Sequence, residues 1–494
     1  MKTHIKKSFV LPEFIAVVAV LVACPSEAQF TYTTDNDTVT ITGYTGTNHD
    51  VVIPSMIDGL RVTGIGTNAF YDARINTVTV PNTVTNIGDF AFEFCTMTNV
   101  TIPNSVTSIG FFAFGFCTSL TNVTIPNGVT SIGNSTFWEC TSLTSVTIPN
   151  GVTSIGNDTF SDCTSLTSVT IPKSVTNIGT HAFFSCSSMT DITVDSANQI
   201  YSSVGGVLFD KGQTTLIQCP SGKAEASYTI PNSVTSIGTE AFGGCTNLTS
   251  VTIPNNVTSI GDFAFEFCTS LTNVTIPNSV TSIGNSTFWE CTSLTSVTIP
   301  NGVTSLGNGT FSDCTSLTSV TIPKSVTSIG EGTFFDCTSL TSVTIPNSVT
   351  NIGDVVFSEC WGLTKVFFDG NAPAIGQDVF DAVRFEGPPG TFDPATVYFL
   401  PRTTGWTTNF AGLPTAIWTP EVQAADGGFG VKSNQFGFNV TWADGMSLVV
   451  EASTSLSNPV WSHVVTNTLS GGTFYFTDPQ WTNYPSRFYR VRSQ

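Results

Sequence analysis

Cys140 to Phe160 reads CTSLTSVTIPNGVTSIGNDTF, and with small changes the block restarts at Cys163, Cys268, Cys291, Cys314 and Cys337, usually at a step of 23 residues. Self-similarity at a fixed period of roughly 20 to 29 residues, with aliphatic side chains at set offsets, marks a leucine-rich solenoid in which each coil buries its apolar side against the next. Leu143, Val146 and Ile148 recur while Ser145 and Thr147 alternate with them. Period two predicts a short strand with Val and Ile inward and Ser and Thr outward. Pro149 lacks an amide donor and ends that strand. Val152 and Ile155 then return to the core, and a recurring Gly, as at Gly133, Gly156, Gly284 and Gly307, suits a positive φ or a close approach between coils. Four residues after it stands Phe, from Phe70 through Phe92, Phe114, Phe137 and Phe160 to Phe380. That column predicts a β-rich repeat solenoid of about 13 right-handed coils of 22–23 residues. The Phe segment is expected to be a helical turn or loop.

In CTSLTNVTIPNGVTSIGNSTF (Cys117 to Phe137) the pattern resembles the Treponema-type, or BspA-like, leucine-rich repeat family, Cys-x-x-Leu-x-x-Ile-x-Leu-Pro-x-x-Leu-x-x-Ile-Gly-x-x-Ala-Phe, with Val and Ile at some aliphatic sites. The resemblance covers about Val51 to Phe380. It implies exported or surface-displayed, largely bacterial proteins that bind other macromolecules, and no catalytic or cofactor-binding residues. Binding residues in the family follow no fixed motif, so none carries over individually.

Charged residues are 10% of the 494 and the net charge is −19. An acidic chain without Lys/Arg clusters is a poor nucleic-acid ligand. Lys2, Lys6 and Lys7 followed by the apolar Phe14 to Ala23 read as an export signal, with Ser26-Glu27-Ala28 as cleavage site. Leu21-Val22-Ala23-Cys24 resembles a lipobox, so a lipoprotein anchored at Cys24 is the alternative. No later stretch reaches the roughly 20 apolar residues of a transmembrane helix. Eleven of the 13 cysteines fall at one place in the coil, among them Cys140, Cys163, Cys291 and Cys314. They are expected to be buried free thiols that fill the core beside Phe92, Phe114, Phe137 and Phe160, rather than disulfides.

The organisation that follows is a signal peptide at 1–28, a β cap at 29–50, repeats at 51–382 with an irregular insertion at 187–230, a cap and linker at 383–420, and a small all-β sandwich module at 421–494. The insertion separates two near-copies: GDFAFEFC from Gly88 recurs at Gly261, and GNSTFWEC from Gly133 recurs at Gly284. Offsets of 173 and 151 residues differ by 22, so the second copy lacks the coil carrying FFAFGFC, which ends at Cys117. In the tail, Arg487, Arg490 and Arg492 form either a solvated strand edge or a surface for an anionic polymer.

Little here points to chemistry. His49, His181 and His463 lie far apart in sequence, and no Ser/His/Asp set, CxxC or phosphate loop is present. The acids before the column cysteines (Glu139, Asp162, Glu290, Asp313, Asp336, Glu359) read as a solvated edge rather than a Ca²⁺ site, and no metal site or cofactor is expected. The candidate partner-binding residues are the outward Thr column of the expected concave face: Thr101, Thr124, Thr147, Thr170, Thr252, Thr275, Thr298, Thr321 and Thr344. The expected partner is a protein or glycan; the competing reading is a structural envelope or matrix solenoid without a discrete ligand. Oligomeric state is left open.

Overall fold

The computed structural model describes residues 29–381, 395–433 and 435–494, with the backbone of 2–4; the expected signal peptide, Cys24 included, lies almost wholly outside the described residues. Coil after coil, three ladders of backbone hydrogen bonds hold the solenoid together. One joins strand triplets such as Asn122–Thr124 and Ser145–Thr147, paired in parallel with Val123 opposite Val146. A second joins doublets such as Ser131–Ile132 and Ser154–Ile155. The third runs through the Phe segment, where Phe137 N–H donates to Thr159 O (2.9 Å) and Phe160 N–H to Ala182 O (2.9 Å). That segment is a chain of turns; among the described residues the one helix is the 3₁₀ turn Trp481–Asn483.

The recurring Gly is required by close approach, not by φ. A Cβ on Gly156 would sit 2.6 Å from Asn134 N, and one on Gly284 2.5 Å from Asp262 N, in each case the preceding coil. Positive φ falls instead on the residues two and six places after this Gly, as at Ser135 (52°) and Glu139 (53°). Asn134 Oδ1 accepts from Asn157 N–H at 2.9 Å, linking coils through a side chain. Thr159, fully buried, donates its hydroxyl to Gly156 O (2.8 Å) and Gly133 O (3.2 Å).

The Phe column is a stack: Phe137 and Phe160 centroids are 5.5 Å apart with planes 2° from parallel. Beside it run the cysteines, all twelve described ones free and buried. Cys140 Sγ donates to Phe114 O and Cys163 Sγ to Phe137 O, both at 3.2 Å, and burial pushes the Cys95 thiol up to about 12. These thiols fill space in the core. Phe30 and Tyr44 close the stack at Phe70; Trp406 and Phe410 close the far core at Phe368.

There are about 15 turns rather than about 13. Beyond Phe380 the strands Thr396–Phe399 and Leu413–Ile417 still add in parallel to Lys365–Phe368. A count on the Phe column misses them, because the strand ladder needs only alternation. The tail forms two antiparallel sheets, one of Glu421–Gln423, Gln435–Thr441, Gly430–Lys432 and Thr473–Asp478, the other of Ser462–Thr468, Ser447–Ser453 and Phe488–Ser493. Phe438, Trp442, Val450 and Phe476 pack between them together with Leu400 of the solenoid end.

Between the near-copies the solenoid is partitioned. Tyr201–Val204 and Val207–Asp210 form a hairpin, and Thr215–Gln218 carries it into the next ladder. Alternation makes Val207–Asp210 a wall: Val207 and Phe209 belong to the core of the second half, Leu208 to that of the first. Buried Asn198 closes the last coil of the first half, donating to Pro172 O and Val175 O (2.9 and 3.0 Å) and accepting from Ile200 and Tyr201 N–H (both 2.8 Å).

Candidate functional site

All nine column threonines stand outward and exposed on the triplet ladder. Parallel pairing in strict register puts Thr124 beside Thr147, and Thr252, Thr275, Thr298 and Thr321 in one file. Inward on these strands stand Val residues such as Val123, while Phe92, Phe114, Phe137, Phe160, Cys140, Cys163, Cys291 and Cys314 line the interior from the turn segment of the coil, each fully buried. Threonines elsewhere in the coil behave differently from the file. Thr121 and Thr144 donate to the carbonyls of Thr98 and Thr121 one coil back, at 3.1 and 3.0 Å, whereas the nine hydroxyls of the file make no hydrogen bond with any described residue. Their donors and acceptors face solvent unspent.

The file ends in aromatic side chains. Thr344 pairs with Phe367 and Phe367 with Tyr398, so the Thr column continues as rings. Phe367 lies 5.2 Å from Tyr398 and 4.5 Å from Trp418. These rings, with Lys365, Glu421, Thr441 and Trp442 of the tail, line an open pocket of about 190 Å³. Trp442 Nε1–H donates to Trp418 O at 3.0 Å and fixes the tail against the last coil. The signal was available: VFFD and TVYF each carry an outward residue at the Thr position.

The titratable side chains gather at the partition. His181 Nε2 lies 2.8 Å from Glu240 Oε1, its backbone N–H donates to Glu240 Oε2 (2.8 Å), and Nδ1 lies 3.5 Å from Asp158. Glu266, 3% exposed, has an Oε1 without a hydrogen-bond partner, 3.9 Å from His181 Nε2. Burial, then Glu240, push its carboxyl up to about 7; the Glu240 hydrogen bond raises His181. His49 and His463 are elsewhere: His49 contacts Arg74 O and His463 lies on the tail near Thr466. Among the described residues no group of three or more His, Cys, Asp or Glu is placed to hold a metal ion.

Of the acids before the cysteines, Asp162 accepts from Trp138 Nε1–H (3.1 Å) and Asp313 from Trp289 Nε1–H (2.9 Å). The tail arginines are paired with carboxylates across strands that sequence alone does not pair. Arg490 and Arg492 reach Glu451 at 2.7 and 3.1 Å, and Arg487 reaches Asp478 at 2.8 Å. Two carboxylates thus offset part of the positive charge of the three arginines.

Six copies of the BspA type leucine rich repeat region match the chain, over residues 63–190, 221–318 and 304–385. A leucine rich cell surface protein of Faecalibacterium prausnitzii is 32% identical, over 69% of this chain and 94% of that one, with a TM-score of 0.52. The pneumococcal vaccine antigen PcpA is 20% identical over 76% of this chain and 92% of that one, with a TM-score of 0.56, a likeness of fold alone. No curated protein sequence matches.

Proposed function

The chain belongs to the BspA-type leucine-rich repeat family, and we propose that it is an exported, non-enzymatic binding protein that holds a macromolecular partner along its threonine file. The observation that carries this reading is the file itself: nine exposed hydroxyls at one strand position of successive coils, none hydrogen-bonded to a described residue, continued in the second half by a pocket walled by Phe367, Tyr398 and Trp418. Hydroxyls at every coil supply hydrogen bonds to an extended protein or glycan, and the rings supply the anchors that tight interfaces concentrate in a few places. In the same reading residues 1–28 direct export, either by cleavage after Ala28 or by lipidation at Cys24, and 421–494 are an appended module. No helix among the described residues is long and apolar enough to cross a membrane.

The test is a screen of residues 29–494 against arrayed glycans and matrix proteins, followed by the same screen with Tyr398→Ala. A retained ligand that weakens about tenfold on losing the ring supports the reading. The near-identity of the coils favours a second reading, a structural component of an envelope or matrix; it takes over if nothing is retained and the purified protein assembles with itself.

A further inference from the structure

The second surface lies on the turn edge of the first half, away from the threonine file. In every regular coil the residues two and six places after the recurring Gly have positive φ, between 48° and 71° from Asn68 to Glu359. Asn, Asp, Ser or Gly suits such backbone, and most coils use them or Glu. Six of these places carry Phe: Phe90, Phe94, Phe112 and Phe116 in the first half, Phe263 and Phe267 in the second. A bulky ring there is strained, and these rings are outside the core stack, whose place is held by Phe92, Phe114 and Phe265.

In the first half the rings merge into one patch across three coils. Phe94 stacks on Phe116 (4.5 Å), Phe112 and Phe116 meet Trp138 (5.2 and 5.0 Å), and Phe111 meets Phe90 and Phe112 (5.3 and 4.4 Å). Phe94 and Phe111 remain 40% and 39% exposed. Acids accompany the rings: Asp89, Glu139, Asp158 and Asp162, with the buried Glu93, are the only charged side chains from residue 75 to residue 172, which holds no Lys, Arg or His. Asp162 fixes the Trp138 indole.

We propose that this aromatic, acidic turn edge is a docking surface for a Lys/Arg-rich protein segment. Guanidinium and ammonium groups are drawn both to the π density of aromatic rings and to carboxylates, and the edge offers these together, with His181 beside Asp158 at its far end. Its chemistry differs from that of the uncharged threonine file, so the two surfaces serve different partners. The second half repeats the patch in reduced form, as Phe263, Phe267 and Trp289, because the coil bearing Phe111, Phe112 and Phe116 has no counterpart there.

The test compares the mature protein with Phe94→Asn/Phe111→Asn, which leaves every charge in place, in binding an Arg-rich peptide at about 0.15 M salt. A citrulline version of the peptide and the neutral glucan laminarin serve as the other probes. The expected result is about tenfold weaker binding of the Arg-rich peptide by the variant, with melting temperature unchanged or raised because a strained ring has gone, and no binding of the citrulline peptide. Trp361→Ser, which removes an exposed ring elsewhere, should leave binding intact. Equal binding by the double variant reduces the interaction to net charge and overturns the proposal, as does a marked fall in its melting temperature. Laminarin competing with the peptide overturns it in favour of a sugar platform. None of these outcomes touches the Tyr398 pocket, so the threonine-file reading stands or falls separately.

Discussion

Glu93 and Glu266 hold the same place in two near-copies of GDFAFEFC, one in each half of the solenoid, yet they live in different electrostatic settings. Both are buried, and burial raises both carboxyls. The coil before Glu93 presents Asn68 at the column position where the coil before Glu266 presents Glu240, and only Glu266 is pushed to about 7. The halves share ladders and stack: Phe92 to Phe114 and Phe265 to Phe288 are both 5.3 Å. They differ at the turn edge and where they meet. Columns that face the core are bound by packing, whereas the turn residues are free to diverge.

Equivalence of the cores is the part of this comparison easiest to break. Phe160→Ala and Phe311→Ala each remove a fully buried ring from between two others, and each is expected to cost about 3 to 5 kcal/mol, read from denaturant unfolding. A clear inequality would mean that one half is held by something besides its stack.

A smaller effect is expected at the partition, where the Phe ladder is interrupted. Cys219 N–H donates to Ala241 O as Phe242 N–H does to Ala264 O, so Cys219 sits in the Phe position. The Tyr228 ring, in place of the usual Val, fills in from the strand side at 5.8 Å from Phe242, leaving a void of about 10 Å³. Tyr228→Val should therefore cost about 2 to 3 kcal/mol, and Cys219→Phe added to it should restore much of the loss. Failure of the pair to couple would remove the idea of a compensated exchange.

The pH dependence separates Glu266 from Glu93. Glu266 binds its proton more tightly folded, at about 7, than at its ordinary 4.5, and His181 is also raised. Stability from both is fully present below their unfolded values and is lost as pH rises through the folded ones. For Glu266 that window is about pH 4.5 to 7. Asp158 and Glu240 face the same His. Unfolding midpoints should fall across that window in the native chain, and Glu266→Gln should flatten the fall more than Glu93→Gln. Identical slopes for the two variants would erase the distinction.

Smallest of all should be Thr147→Ala and Thr298→Ala, outward substitutions expected to change stability by less than about 0.5 kcal/mol in either half. A larger cost would give these hydroxyls a structural role and weaken the threonine file as a binding surface.

The repeat clock by itself determined the solenoid, the inward Phe and Cys columns and the outward Thr file, because one coil can bury its apolar residues only against its neighbours. It also marked where the clock slips. Only the tertiary structure decided that the recurring Gly answers to the backbone one coil away rather than to φ, since that distance is invisible within a single coil. The same holds for Cys219 in a Phe place, for the Thr column passing into Phe367 and Tyr398, and for His181 meeting Glu240 across 59 residues. Periodicity fixes what repeats; where the repeat breaks, contacts join residues whose separation follows no period, and packing alone brings them together.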